Sequence, residues 1–202
     1  LPSSGNLAIV EMAECVGLAD LPNELRNPWE TSTFGVGQLL RKAADLRVDA
    51  ILLGIGGSGP TKRVPAKKFI EFIDLVTKKY KSRFFLATGK SVQEQKILRE
   101  ILNSKHKDKC QKLDNLSIKN ILPLISNCDI AVCNDSSFSH LSAAIGIKTI
   151  VLMTDTPLMY GSYSKYMYPI IPDGEKTVTH STLGKNKINS VKIFKKFKKL
   201  IK

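Results

Sequence analysis

Two short stretches of this chain hold most of the side chains that could handle an anion. One is the turn Gly54-Ile55-Gly56-Gly57-Ser58-Gly59 with its continuation Pro60-Thr61-Lys62-Arg63. Glycines let a backbone come close to an anion, Ser58 and Thr61 offer hydroxyls, and Lys62 can neutralise a phosphate. The other is Asn134-Asp135-Ser136-Ser137-Phe138-Ser139-His140. It sets a carboxylate, hydroxyls and free N–H groups at a helix start, an arrangement whose dipole suits a diphosphate. Each stretch also has a plainer reading. The turn is neither a Walker loop nor a dinucleotide fingerprint, and a loop with a solvated basic pair would look the same. Asp135 or Ser136 can simply cap the helix, with His140 packed against it. A third stretch, Met153-Thr154-Asp155-Thr156-Pro157 followed by Tyr160-Gly161-Ser162-Tyr163-Ser164-Lys165, is a long, hydroxyl-rich loop of the kind that often carries function.

The elements around these stretches form a regular alternation. Asp49 to Gly54 is a continuous apolar run ending in glycines, as a buried parallel strand should be. Pro65 opens a helix to about Tyr80 with Phe69, Phe72, Ile73 and Val76 inward. Strands follow at Arg83–Thr88, near Lys112-Leu113, at Asp129–Cys133 and at Lys148–Met153. Between them come a helix capped by Ser91 and running to about Asn103, a helix Ser117–Ser126, and a helix Phe138–Ile145. Towards the start, Ala8–Met12 reads as a strand, residues 21–28 as a loop, and Thr31 or Ser32 as the cap of a helix to about Leu46. Strands alternating with helices imply an α/β, Rossmann-like parallel sheet covered by helices on both faces. In such sheets ligands sit beyond the carboxyl ends of the strands, where all three stretches fall.

The chain has 202 residues and a formal charge of +13, divided unevenly about the glycine turn. Residues 1–58 carry −3 and residues 59–202 carry +16; the first part has three Arg and one Lys, the second three Arg and 24 Lys. That change divides the chain into two regions, 1–58 and 59–202. The lysines are spread over amphipathic segments without interleaved stacking aromatics, so the charge predicts attraction to anionic partners but no nucleic-acid binding. The dense run is the tail, where Val191, Phe194, Phe197 or Lys198, and Ile201 fall at helical spacing. It predicts a closing helix packed on the sheet, with a membrane-surface helix as the alternative. Cys15, Cys110, Cys128 and Cys133 show no metal-like spacing and read as free thiols in a reducing compartment. No apolar run reaches the length of about 18 residues that spans a bilayer. The opening Leu1-Pro2-Ser3-Ser4 reads as a piece of something longer.

Residues 50–202 resemble the donor-binding, C-terminal domain of glycosyltransferase family 9, the ADP-heptose–lipopolysaccharide heptosyltransferases. The most specific piece is an Asp-Ser/Thr-Gly-x-x-His signature before an Ala-rich helix, here Asp135-Ser136-Ser137-Phe138-Ser139-His140-Leu141-Ser142-Ala143-Ala144. Around it lie Lys62-Arg63-Val64-Pro65, the strand-then-glycine Leu86-Ala87-Thr88-Gly89 leading to Glu94, and Thr154-Asp155-Thr156. The resemblance implies one half of a GT-B glycosyltransferase, inverting and independent of metal or other cofactor. Its donor would be a nucleotide-diphosphate sugar, ADP-linked in preference. Ser58 and Lys62 would hold the diphosphate and Glu94 would face the nucleoside. Asp135, Ser136 and His140 would contact the diphosphate or the sugar, with Ser137 and Thr154 completing the donor site. The catalytic base would lie on a separate N-terminal domain that nothing in residues 1–58 resembles. The implied acceptor is lipid-linked or a lipopolysaccharide core, and the implied location the cytoplasm at the inner face of the membrane. Two positions depart from the pattern: Ser137 stands for the usual Gly, and Val64 for the usual Trp.

Residues 6–58 resemble a different family, an internal stretch of type-II glycerate kinase. The matching phrases are Ala8-Ile9-Val10-Glu11-Met12-Ala13, Arg26-Asn27-Pro28-Trp29-Glu30-Thr31 with Thr33-Phe34-Gly35-Val36-Gly37, and Ile51 to Ser58. The similarity stops after Ser58, before the rest of that family's phosphate-handling loop, so this segment reads as scaffold without kinase activity. A chimera, a natural fusion and an assembly error all produce such a junction. A kinase-like phosphotransferase fragment and a non-catalytic basic α/β scaffold remain the alternative functions.

Overall fold

The computed structural model describes residues 48–201. The strand expected at Ala8–Met12, the loop at 21–28, the helix from Thr31 to Leu46, and Cys15 lie outside the described residues.

Six parallel strands form the sheet: β1 (Ala50–Gly54), β2 (Arg83–Ala87), β3 (Cys110–Lys112), β4 (Ile130–Asn134), β5 (Thr149–Leu152) and β6 (Met167–Ile170), in the spatial order β3-β2-β1-β4-β5-β6. The apolar run 50–54 is thus a central strand, paired with β2 on one side and β4 on the other, and all five of its residues are buried. A strand hydrogen-bonded on both sides and covered on both faces needs an unbroken apolar sequence. β6 escapes a reading by pattern because it contains Pro169, which an edge strand tolerates.

Successive residues of a strand point to opposite faces. Ile51, Leu53, Phe84, Leu86, Ile130, Val132, Ile150 and Leu152 pack into one core with α1 (Ala66–Thr77), α2 (Val92–Leu102) and α5 (Ser190–Leu200). On the other face, Val151, Met153 and Met167 pack with Ala143 of α4 (Ser137–Ala144) and with Val178. α1 ends three residues before the expected Tyr80, and Pro65 occupies its cap rather than its first turn. Its inward residues are the expected Phe69, Phe72, Ile73 and Val76, joined by Ala66.

The basic tail is a closing helix, with one correction. α5 buries Ile193, Phe194 and Phe197, whereas Val191 is 50% exposed. Phe197 decides the register, meeting Phe72 and Tyr80 edge-on with ring centroids 5.6 Å apart in both pairs. The helix α3 (Ile118–Ser126) belongs to a unit separate from the sheet; Ser117 caps it, accepting from the Asn120 amide. Cys128 and Cys133 are buried free thiols and Cys110 a half-buried one. Burial pushes the Cys110 and Cys133 thiols up to about 12, so neither is a ready nucleophile. Among the described residues no helix is long and apolar enough to cross a membrane.

Candidate functional site

The strand order places a topological switch point between β1 and β4, because the chain leaves β1 towards β2 and later returns to β4 on its other side. The crevice beyond the carboxyl ends of such a pair is where doubly wound sheets bind ligands. The glycine turn follows β1, and Asp135 to His140 follow β4. The two anion-handling stretches therefore face one another across that crevice.

Asp135 is the centre of the β4 side. It is 3% exposed, and its Oδ2 accepts from Lys62 Nζ at 2.9 Å and from the Thr156 hydroxyl at 2.5 Å. Its Oδ1 lies 3.6 Å from His140 Nε2. The His140 Nδ1 meets the Tyr163 hydroxyl at 2.8 Å, and the two rings stack with centroids 5.8 Å apart. Lys62, Asp135, Thr156, His140 and Tyr163 thus form one connected polar chain drawn from three loops. The Lys62 side chain is 26% exposed, so its ammonium is paired on one side while the other stays open to solvent.

The helix α4 starts at this chain. Ser139 closes one half of a capping box, its hydroxyl accepting from the Ser136 N–H at 3.3 Å. The Ser136 hydroxyl stands where the other half would form but makes no hydrogen bond within the protein, although its Oγ is buried. Orphaned buried hydroxyls are rare, and one at a helix N-terminus is a candidate ligand contact. Ser137 is exposed on the first residue of the helix, and Ser58 is exposed on the glycine turn.

Thr154 is different. It is buried, its hydroxyl donates to the Thr61 carbonyl at 2.9 Å, and its own carbonyl accepts from the Gly184 N–H at 2.9 Å. That hydroxyl ties the loop after β5 to the turn after β1. Glu94 lies at the mouth of β1 and β2, where its carboxylate accepts from the N–H groups of Gly57, Gly89 and Ser91 and from the Ser91 hydroxyl. Burial pushes its carboxyl up, but the Ser91 hydroxyl and the three N–H groups outweigh that and hold it below the ordinary glutamate value.

Three supporting residues carried no signal of their own in the sequence. Asn134, fully buried at the end of β4, donates from Nδ2 to the Ile55 carbonyl at 2.9 Å and the Gly56 carbonyl at 3.1 Å, and its Oδ1 accepts from Val64 N–H at 3.4 Å. Arg63 Nε donates to the Gly57 carbonyl at 2.8 Å. Thr88, 5% exposed at the end of β2, has a buried hydroxyl without a partner. A polar residue closing an apolar strand is the one hint that could have found Asn134.

The chain is similar to two families. Residues 2–62 match the glycerate kinase family. The glycerate kinase of Halalkalibacterium halodurans is 52% identical over 58 residues, which is 29% of this chain and 15% of that protein. Lipopolysaccharide heptosyltransferase 1 of Campylobacter coli is 24% identical over 139 residues, 67% of this chain and 40% of that protein. E. coli heptosyltransferase WaaC with ADP has a TM-score of 0.64 at 17% identity, covering 81% of this chain and 48% of that one. The same enzyme with ADP-2-deoxy-2-fluoro heptose gives 0.58 at 18%, covering 80% and 47%. The chain spans less than half the length of each of these relatives. The sheet and its helices are those of a heptosyltransferase-like, GT-B type fold. The kinase-like match runs through β1 and the glycine turn as far as Lys62, so the two likenesses overlap at the crevice.

Proposed function

We propose that the sheet domain is the donor-binding half of an inverting, metal-independent glycosyltransferase of family 9 type, taking a nucleotide-diphosphate sugar, ADP-linked in preference. The observation that carries this reading is the switch-point crevice. There Lys62, with one side open to solvent, faces the start of α4 and the unpartnered Ser136 hydroxyl. A diphosphate would meet an ammonium and a helix N-terminus together, and these can supply the positive charge that a divalent cation gives elsewhere. The WaaC complexes with ADP and ADP-2-deoxy-2-fluoro heptose support the choice of nucleotide.

Asp135 is engaged by Lys62 and Thr156, so we assign it to orienting Lys62 and His140 and not to deprotonating an acceptor. The general base and the lipid-linked or lipopolysaccharide-core acceptor are assigned to the other half of the clamp, outside the described residues. The sugar transferred is a heptose or hexose, and the exposed lysines of α5 suit contact with an anionic membrane face. Proximity of acceptor and donor is worth several kcal/mol of barrier, so donor binding and transfer separate. The 202-residue chain is expected to bind donor and not to transfer it.

Calorimetry of the 202-residue chain with ADP and UDP, each with and without magnesium, tests the reading. Binding of ADP that is tighter than UDP and indifferent to magnesium is the expected result. No heat with either nucleotide overturns it. The kinase reading, which rests on the higher identity over 15% of the relative's length, instead requires ATP- and glycerate-dependent turnover.

A further inference from the structure

The Glu94 carboxylate has its acceptor capacity filled by the protein itself. An ionised carboxylate offers about four lone-pair sites. Oε1 accepts from the N–H of Gly57 at 3.0 Å and of Gly89 at 3.3 Å. Oε2 accepts from the N–H of Ser91 at 3.3 Å and from its hydroxyl at 2.6 Å. These donors come from the turn after β1, the turn after β2 and the cap of α2. Two glycines make room for the carboxylate. A Cβ at Gly56 would stand 2.5 Å from Oε1, and one at Gly89 would stand 2.6 Å from Oε2. Both distances are shorter than such contacts tolerate, so the glycines and the carboxylate form one fitted unit.

We propose that Glu94 is a positioning residue that clips the turn after β1 to the turn after β2, and so sets the backbone leading from Gly57 to Lys62, instead of contacting the nucleoside. No acceptor site remains on the carboxylate for a ribose hydroxyl. Its four bonds fix the turn on one side, while Arg63 Nε on the Gly57 carbonyl and Asn134 Nδ2 on the Ile55 and Gly56 carbonyls fix it on the other. The functional consequence rests on the donor-binding reading; the clip does not.

The test compares wild type with Glu94→Gln, which keeps the side-chain shape but turns an NH2 group towards N–H donors. Its first measurement needs no ligand. Amide hydrogen exchange at Gly57 and Gly89 should quicken about tenfold or more, the loss expected for hydrogen bonds to a charged acceptor. Exchange in β4 should stay unchanged. Unchanged protection at Gly57 and Gly89 overturns the clip whatever nucleotides do. The second measurement is affinity for inorganic pyrophosphate, ADP and 2′-deoxy-ADP. A clip weakens all three by the same factor. A direct ribose contact would leave pyrophosphate binding intact and erase the difference between ADP and 2′-deoxy-ADP, which sinks the proposal. Should wild type bind none of the three, the donor-binding reading fails while the exchange result still judges the clip. Gly56→Ala, which leaves Glu94 in place but intrudes on Oε1, provides the second variant if Glu94→Gln fails to fold, and the same Gly57 and Gly89 amides should lose protection in it.

Discussion

On the β1–β2 side of the crevice, shape comes from backbone. Gly56, Gly57 and Gly89 close around one carboxylate, and every bond Glu94 makes there runs to an N–H or to the Ser91 hydroxyl. On the β4–β5 side, shape comes from side chains. Lys62 and Thr156 converge on Asp135, and His140 joins Tyr163. A backbone clip keeps its geometry with little dependence on any charge it presents, because its donors are fixed by the fold. A side-chain cluster presents charge that can turn towards a ligand, but each member leans on its neighbour. The first side can therefore hold a phosphate in place, and the second can respond to it.

If that division is right, the largest effect on binding lies on the side-chain side. Lys62→Met keeps the apolar stem but removes the ammonium from both Asp135 and the crevice. A charge-assisted contact is worth about 2–3 kcal/mol, so ADP affinity should fall on the order of 100-fold. The same change leaves the carboxylate of Asp135, 4% exposed, with Thr156 as its remaining close donor, and the thermal midpoint should fall as well. Calorimetry and thermal melting read both. A variant with unaltered ADP affinity would show that Lys62 serves only Asp135, and the contrast between the two sides would collapse.

The next effect is on the backbone side and concerns stability. A Cβ at Gly54 would stand 2.6 Å from the Cys133 Sγ and 3.2 Å from the Phe138 Cβ, both across the β1–β4 seam. Overpacking of this kind costs about 1–3 kcal/mol. Gly54→Ala should lower the denaturant midpoint by that amount, and Gly54→Ala with Cys133→Ala should recover part of it. No recovery would place the strain at Phe138 instead.

Much of this frame was legible in the sequence, for a physical reason. β1 could be read because a strand covered on both faces has no polar alternation to confuse it, and α1 because Pro65 and four inward apolar residues fix both its start and its face. The face of α5 could not, since Val191 and Ile193 are both apolar and only the docking of Phe197 between Phe72 and Tyr80 chooses between them. Within the site, residue types were visible and pairings were not. Lys62 and Asp135 lie 73 positions apart, and nothing local says that one ammonium will be shared between a carboxylate and the crevice. Thr154 and Glu94 carried the right chemistry for donor contacts, yet their polar atoms are engaged by backbone groups.

A smaller effect separates the two sides by acid. The folded-state pKa of Glu94 is held below the ordinary value of 4.5, so its contribution is present above that value and is lost as pH falls through the lower, folded value. Glu94→Gln lacks that contribution at every pH. The gap in melting temperature between wild type and Glu94→Gln should therefore be widest at neutral pH and narrow below about pH 4.5, the unfolded value. Asp74, held low by Lys105 and then by His106 despite some burial, titrates in both proteins and cancels from the difference. A gap that stays constant down to pH 3 would mean that the charge of Glu94 does not matter to the clip.

The smallest effect tests how tightly the side-chain side is wired. Asp135 as a carboxylate can only accept, so the network assigns the His140 proton to Nε2, facing Oδ1 at 3.6 Å, and leaves Nδ1 to accept from the Tyr163 hydroxyl at 2.8 Å. Tyr163→Phe keeps the stacked ring and removes that donor. Tyr163 is 63% exposed, and water can replace an exposed hydroxyl, so the stability loss should stay below about 1 kcal/mol and the change in ADP affinity below about fivefold. The sensitive readout is the imidazole itself: nitrogen chemical shifts of His140 should show the Nε2–H tautomer losing population in the variant. Tautomer populations that do not move would mean Asp135 alone orients the ring. An affinity loss well beyond fivefold would mean instead that the Tyr163 hydroxyl touches the donor, and the side-chain side of the crevice would then extend one loop further than its buried centre.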